Sequence, residues 1–186
     1  MRPHGPAEID MDEYASFLPH TRRESLIPPV SEWWPWRKHL VHLFRLRDVN
    51  APVRLLVVHG AGAHGGALWP IASLLAGRRI DLTAVDLPLY GRTVTDSRGT
   101  VTYEDWVALL VDLIAVEDDG RPVILLGASI GGLLTVEAAA RSHMVAAVIA
   151  TCLLDPTESH ARSAMTRFGS LAVALALIHR SVLGAG

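Results

Sequence analysis

The residue best placed to do chemistry is a serine between two glycines. Residues 127–131 read Gly-Ala-Ser-Ile-Gly, after an apolar run at residues 123–127 and before a segment of helical period at residues 133–141. Glycines two residues before and after Ser129 allow a sharp turn from strand to helix, where a side chain would collide with its neighbours. We therefore predict that the Ser129 hydroxyl stands exposed at the apex of this turn, where it can attack a carbonyl carbon.

A glycine-rich stretch, His-Gly-Ala-Gly-Ala-His-Gly-Gly at residues 59–66, is the second candidate for a functional loop. Its glycines let the backbone turn and approach a ligand closely, so Gly60 and Gly62 are candidate substrate contacts. His64 either lines the mouth of a pocket or is a solvated loop histidine, and His59 reads as a structural residue rather than a base. A turn without a ligand and a phosphate loop are the alternatives, although the Lys-Ser/Thr ending and the G-x-G-x-x-G spacing of nucleotide loops are missing.

Alternating strands and helices must position these two stretches. Apolar runs predict strands at residues 39–47, 53–59, 80–87, 123–127 and 145–151. Helical periodicity follows three of them, and the second helix begins after an N-cap, Thr102, with Asp105 three residues later. Strands of this kind alternating with helices predict the α/β class, with a mostly parallel twisted sheet and helices on both faces.

The chain divides into three predicted parts. Residues 1–38 form a helical and proline-rich N-terminal extension, residues 39–156 form the α/β core, and residues 157–186 form a helical segment. The extension has an apolar helical face over residues 8–18 and ends in a Trp-Trp-Pro-Trp cluster at residues 33–36. These indoles either cap the core or meet a lipid surface, and we favour the first because large aromatic side chains usually supply packing area.

Composition narrows the class of protein. A chain of 186 residues, 50% apolar and 19% charged, is long enough to bury a core, and a net charge of −2 predicts no attraction to nucleic acid. The single cysteine, Cys152, excludes an intrachain disulfide and fits a reducing compartment. Residues 1–12 lack the apolar run of an export signal, and the apolar run at residues 171–178 is too short to span a bilayer. We therefore expect a cytoplasmic protein without stable membrane insertion.

The motifs, in this order, resemble the α/β-hydrolase superfamily over roughly residues 41–156. Ser129 matches the nucleophile elbow of its serine esterases and lipases, and residues 59–62 match its loop after the earlier strand. The resemblance implies hydrolysis of a small-molecule carboxylic ester, with a lipophilic or small acyl group, through an acyl-enzyme. It implies no cofactor and no metal ion. A serine at the apex, where dehalogenases of the superfamily carry an aspartate, argues against dehalogenation.

The resemblance also assigns the oxyanion donors. In this superfamily one donor is the backbone N–H just after the nucleophile, which is Ile130 in this sequence. The second comes from the loop after the earlier strand and maps to Ala61, with Gly62 as the neighbouring alternative. Both donate through the backbone, so the identity of the side chain is loosely specified.

The acid and the base are harder to assign from the same resemblance. Asp155 lies beyond the strand after the elbow, where some members place the catalytic acid, and its alternative is a turn role beside Pro156. The later histidines, His160 and His179, fall in helix-like segments unlike the histidine loop of the superfamily. We therefore expect a fold that is C-terminally incomplete, with residues 157–186 beginning a helical cap and the base lying wholly or partly outside this chain.

Two further features carry expectations. The strand at residues 145–150 is apolar and predicted to be the last of the sheet, so its edge can pair with a second copy of the chain to form a homodimer. Leu89 stands where the superfamily often has glycine, which brings the conformation of that loop into question. The main alternative to a serine hydrolase is a non-catalytic binding protein, or an inactive N-terminal fragment that lacks the catalytic histidine.

Overall fold

Seven strands of the described chain form one mixed sheet. The computed structural model describes residues 27–75, 78–95 and 101–152, and the structural description is confined to them. The strands are β1 (Val30–Trp36), β2 (His39–Leu46), β3 (Val53–Val58), β4 (Ile80–Val85), β5 (Val94–Thr95), β6 (Val123–Ala128) and β7 (Val145–Thr151). The helices are α1 (Gly65–Ser73), α2 (Tyr103–Val116) and α3 (Ile130–Arg141).

The order of the strands brings the predicted functional loops to one edge of the sheet. The order is β1-β2-β4-β3-β6-β7, with β5 paired to β2 beside this path. Strands β4, β3, β6 and β7 are parallel neighbours, whereas β2 is antiparallel to β1, β4 and β5. The carboxyl ends of β3, β4 and β6 therefore meet at the same edge, which is where ligands bind in open α/β sheets.

The helices cover both faces of the sheet, as the sequence predicts. Helices α2 and α3 lie over one face, where Leu56 and Val58 of β3 join their core. Helix α1 lies over the other face, where Trp69 packs in a second core with Leu55 and Val57. Alternate residues of β3 thus point into different cores, which explains its continuous apolar run. The predicted α/β class is confirmed, and β4, β3, β6 and β7 form the parallel part of the mixed sheet.

Strand β1 is the main difference from the sequence prediction, which places its residues in an N-terminal extension without strands. Pro35 hides the strand pattern, because proline is tolerated in strands chiefly at an edge, and β1 pairs with β2 alone among the described strands. Trp36 is buried in the core beside α2, and its Nε1–H donates to Asp112 at 2.8 Å. The packing role favoured for the tryptophan cluster therefore holds for Trp36.

Several sequence predictions fall outside the described residues. These are the helix at residues 8–18, Asp155 and the helical segment at residues 157–186. Within the part of the chain that is described, none of the helices combines the length and the apolar character that a membrane crossing requires.

Helix α2 begins as the sequence predicts, with Thr102 as its N-cap. The Thr102 hydroxyl accepts the backbone N–H of Asp105 at 3.2 Å, and the Asp105 carboxylate accepts the backbone N–H of Thr102 at 3.0 Å. This reciprocal capping box satisfies two N–H groups at the start of the helix, where no carbonyl of the helix itself can reach them.

Thr102→Ala should lower the free energy of unfolding by about 1 kcal/mol, because the N–H of Asp105 loses its acceptor. Urea denaturation of the two proteins measures the difference. Thr102→Ser keeps the hydroxyl and is the matched control, with almost no loss expected. Equal losses in both variants would show that the threonine methyl group, and not the capping hydrogen bond, carries the effect.

Candidate active site

Ser129 alone makes the turn between strand β6 and helix α3. Its backbone lies at φ 56° and ψ −124°, a region that residues other than glycine rarely occupy. The partly exposed side chain makes no capping hydrogen bond to the helix that it precedes. The Ser129 N–H donates to the carbonyl of Thr151 at 2.9 Å, which ties the apex to β7. The strand, sharp turn and helix predicted around Ser129 are all present.

The two glycines of this turn are required by close backbone contacts. A Cβ added to Gly131 would lie 2.5 Å from the carbonyl oxygen of Val58, and closer still to that of His59. A Cβ on Gly127 would lie 2.7 Å from the Cα of Gly132. The start of α3 therefore rests directly on the end of β3, with no space for a side chain between them.

The glycine-rich loop after β3 lies against Ser129. A Cβ built on Gly60 would stand 3.1 Å from the Ser129 Cβ and 3.7 Å from its hydroxyl oxygen. The loop continues through a turn in which the Ala63 N–H donates to the Gly60 carbonyl at 3.2 Å, and Gly62 has a φ of 75°. The structure thus brings Gly60 beside Ser129, and its role as a substrate contact stays a prediction.

The two candidate oxyanion donors are Ile130, at the start of α3, and Ala61, in the loop after β3. Ile130 is the first residue of α3, so its N–H has no acceptor within the helix. On the loop side, the backbone of Gly62 lies near the hydroxyl of Tyr90. Burial raises the pKa of Tyr90, and the backbone of Gly62 opposes the increase. The assignment of the second donor to Ala61, with Gly62 as its neighbouring alternative, stays a prediction.

His59 is held beneath the loop as a structural residue. It is fully buried, its Nδ1 donates to the carbonyl of Gly60 at 2.8 Å, and its Nε2 accepts the N–H of Leu87 at 3.1 Å. Burial lowers the pKa of the imidazole, which favours this neutral form. Both ring nitrogens are occupied by backbone groups, so His59 supports the loop and has no nitrogen left for Ser129.

Asp86, a buried carboxylate at the end of β4, organises the loops of the same edge. Its Oδ1 accepts the N–H of Gly65 at 2.7 Å, and its Oδ2 accepts the N–H of Arg92 and the ring Nδ1–H of His42, both at 2.9 Å. Burial alone raises the pKa of this carboxyl group, but the hydrogen bonds from His42, Arg92 and Gly65 outweigh it and leave the pKa below its ordinary value. Asp86 therefore joins α1, β2 and the loop after β4.

His42 and Asp86 are not among the site residues predicted from the sequence. Asp86 has a local signal, since an acid that ends an apolar strand and precedes Leu-Pro-Leu-Tyr-Gly is unusual in so apolar a run. His42 has none, because it lies inside a predicted strand 44 positions away from its partner. Their pairing depends on β2 lying next to β4.

The loop after β4 adopts the strained conformation that the sequence brought into question. Leu89 has a φ of 78°, and its side chain is exposed to solvent. Gly91 follows with a φ of 55°, and a Cβ there would lie 2.5 Å from an oxygen of Asp86. The turn therefore keeps a positive φ without a glycine at position 89, while Gly91 leaves room for the carboxylate.

The described residues hold no cluster of three or more histidine, cysteine, aspartate or glutamate side chains arranged to bind a metal ion. Of the predicted site residues, His64 lies just before α1, with its ring 3.0 Å from where a Cβ on Gly66 would stand. Its role as a substrate contact stays a prediction, as does that of Asp155, which is outside the described residues.

Gly131→Ala should destabilise the protein by more than about 4 kcal/mol, because the new methyl group would overlap two backbone carbonyls that cannot both move. Thermal or urea unfolding measures the loss. Gly120→Ala is the matched control, since a Cβ there meets nothing within 4 Å and only its φ of 81° opposes the change. Gly120→Ala should lower the free energy of unfolding by about 1–2 kcal/mol. A similarly small loss for Gly131→Ala would contradict the close approach of α3 to β3.

Asp86→Asn should lower the free energy of unfolding by about 3–5 kcal/mol near neutral pH, because it removes a buried charge from the donors that face it. The pKa of Asp86 is lower in the folded than in the unfolded chain, so the carboxylate contributes stability above its unfolded pKa of about 3.9. This contribution is lost as the pH falls through the folded pKa. Urea unfolding should therefore show that the difference in unfolding free energy between the unaltered protein and Asp86→Asn becomes smaller below about pH 4.

Asp118→Asn is the control for this charge effect. Asp118 is exposed, and its side chain accepts the N–H of Gly120 at 3.0 Å, so the change should stay within about 0.5 kcal/mol at every pH. If Asp86→Asn lowers the free energy of unfolding by the same amount throughout the acid range, position 86 requires the shape of the side chain and not its charge.

Comparison with known proteins places this geometry in a family. The alpha/beta hydrolase family matches residues 55–185, which is well over half of the chain. Protein phosphatase methylesterase 1 of Rattus norvegicus is 27% identical over 115 residues, and the match covers 60% of this chain. The match spans 29% of the length of that methylesterase.

Solved structures share the fold at low sequence identity. The epoxide hydrolase of Aspergillus niger superposes with a TM-score of 0.64 at 16% identity, covering 93% of this chain and 48% of that one. The thioesterase domain from the curacin biosynthetic pathway superposes with a TM-score of 0.63 at 23% sequence identity. The match covers 78% of this chain and 53% of that one. The chain therefore spans about half the length of each. From the family match and the strand, serine turn and helix around Ser129, we conclude that this chain belongs to the alpha/beta hydrolase family.

Proposed function

We propose that this chain is a serine hydrolase that cleaves a carboxylic ester through an acyl-enzyme on Ser129. The observation that carries the proposal is the backbone of Ser129, held at a φ of 56° at the apex between β6 and α3. Strained backbone of this kind clusters at functional sites, where the surrounding structure holds it in place, and Ser129 combines it with a nucleophilic side chain. The name of the rat methylesterase supports an ester as the bond that is cleaved.

We infer the first chemical step from the serine turn and the glycine-rich loop beside it. The Ser129 oxygen attacks the ester carbonyl carbon, and the negative charge that develops on the carbonyl oxygen is met by the N–H groups of Ile130 and Ala61. The N-terminal end of α3 adds a partial positive charge at the same place. The acyl group is lipophilic or small, and Gly60, Gly62 and His64 line its approach.

We place the general base outside the described residues, and wholly or partly outside this chain, as the resemblance to the superfamily implies. Within residues 27–75, 78–95 and 101–152, the two fully buried histidines at this edge, His59 and His42, have both ring nitrogens engaged in hydrogen bonds. A base must have a free nitrogen within reach of the serine proton. Asp155 is our candidate for the acid that would orient such a base.

Ser129→Ala should reduce the kcat/KM for p-nitrophenyl esters by about 10³-fold or more, because the acyl-enzyme can no longer form. A series from acetate to octanoate, assayed with the purified chain together with any natural continuation of it, measures the loss and the preferred acyl length. Ser142→Ala, at the other end of the same helix, is the matched control and should leave the rate within about twofold. A fluorophosphonate probe should label Ser129 in the unaltered protein.

Two results would overturn the proposal. One is an unaltered protein in which the probe leaves Ser129 unlabelled. The other is ester turnover that survives Ser129→Ala. Thermal stabilisation by an ester that is equal in both proteins, with no turnover in either, would instead identify a non-catalytic binding protein.

A further inference from the structure

A second serine lies in a row of hydrogen bonds with a histidine and an aspartate, away from the elbow. The Nε2 of His42 lies 3.0 Å from the hydroxyl oxygen of Ser31, and the Nδ1 of the same ring lies 2.9 Å from Oδ2 of Asp86. Serine, histidine and aspartate in this order, with these distances, form the arrangement that activates a serine in unrelated hydrolases.

The direction of each hydrogen bond follows from the partners of Asp86. Its two oxygens accept N–H groups from Gly65 and Arg92, so the group acts as an ionised acceptor. His42 must then donate its Nδ1–H to Asp86, which leaves Nε2 as the acceptor. The Ser31 hydroxyl therefore donates a hydrogen bond to Nε2 of His42. A base in this position can take the hydroxyl proton and so activate the serine oxygen as a nucleophile.

The three residues differ in burial in the way that such chemistry requires. His42 and Asp86 are fully buried, and the imidazole is held between Trp33 at 4.8 Å and Phe44 at 4.6 Å between ring centroids. Ser31 is exposed on the edge strand β1, diagonally across from His42 in the register. The base and the acid are thus fixed in the core, while the hydroxyl that they would activate faces solvent.

The serine of this row, Ser31, is separate from the candidate active site, although Asp86 lies beside that site. Ser129 ends β6, whereas Ser31 lies on β1, and β3, β4 and β2 stand between these strands. Four strand spacings of about 4.8 Å place the two serines about 19 Å apart. A single substrate carbonyl cannot be in contact with both, so any reactivity of Ser31 is independent of the function proposed for Ser129.

We propose that Ser31 is a second nucleophilic serine, activated by His42 and Asp86, that accepts an acyl group from an activated carboxylic ester. The Ser31 oxygen forms a bond to the acyl carbon, and the bond from that carbon to the leaving oxygen breaks. The Ser31 proton passes to Nε2 of His42 and then to the leaving oxygen, which departs as the alcohol. The row supplies a nucleophile, a base and an orienting acid, which are the groups that acylation of Ser31 needs. We assign it this single acylation and not repeated turnover.

The first test removes the elbow serine and follows acylation directly. The full chain carrying Ser129→Ala is treated with p-nitrophenyl acetate, and acetylated peptides are located by mass spectrometry. We expect one acetyl group per chain, on Ser31, formed about 10²-fold faster than on serines without a base. The double variant Ser31→Ala, Ser129→Ala should lose it.

A pair of histidine variants tests whether Ser31 reacts because His42 activates it or only because it is exposed. His42→Gln, in the Ser129→Ala background, keeps a hydrogen-bonding side chain beside Ser31 but cannot take its proton, so acetylation should slow about 10²-fold. His39→Gln is the matched control, because His39 lies on the same strand and its ring stacks on Trp36 instead. Circular dichroism establishes that both variants are folded.

A further variant tests the row without altering the core. Ser31→Cys places a thiol beside His42, where the imidazole should draw its proton and raise its reactivity. The exposed Cys152 of the same chain is an internal reference. Iodoacetamide should alkylate the introduced thiol about tenfold faster than Cys152 near pH 6. The absence of acetyl on Ser31, or a thiol at position 31 no faster than Cys152, overturns the proposal and leaves Ser31 as a structural partner of His42.

Discussion

The contact between the first turn of α3 and the end of β3 is the constraint on which the rest of this edge depends. The helix comes so close that a Cβ on Gly131 would overlap the carbonyls of Val58 and His59. The chain between β6 and α3 is then a single residue, and Ser129 must take a positive φ to connect them. The strain at Ser129 is thus a consequence of packing, sustained by the cores on both faces of the sheet.

The loop after β3 is ordered by the same contact. His59 sits at the end of β3, and its ring bridges the carbonyl of Gly60 and the N–H of Leu87. The imidazole therefore joins the loop beside Ser129 to the loop after β4. Burial keeps this ring neutral, which is the form that can donate from one nitrogen and accept at the other.

Asp86 is the electrostatic counterpart of this steric constraint. A buried carboxylate is unfavourable unless donors surround it, and here α1, β2 and the loop after β4 each provide one. The absence of a side chain at Gly91 leaves room for the group. One ion thus holds three segments together beside the candidate active site, and it orients the His42 ring toward Ser31.

Much of the fold was predictable from the sequence because its signals are local. Apolar runs identified β2, β3, β4, β6 and β7, and the turn at Ser129 and the cap at Thr102 depend on residues within a few positions of each other. Strand β1 was not predictable in this way, since Pro35 interrupts its pattern and only pairing with β2 makes it a strand.

The sequence by itself therefore determined the α/β class, the serine turn and the glycine-rich loop beside it. Only the tertiary structure decided that His59 supports the loop, that Asp86 joins three segments, and that Ser31, His42 and Asp86 form a row. The physical reason is that periodicity and turn chemistry act over neighbouring residues. Contacts across 44 positions, such as that of His42 with Asp86, exist only once strand order and register have been set.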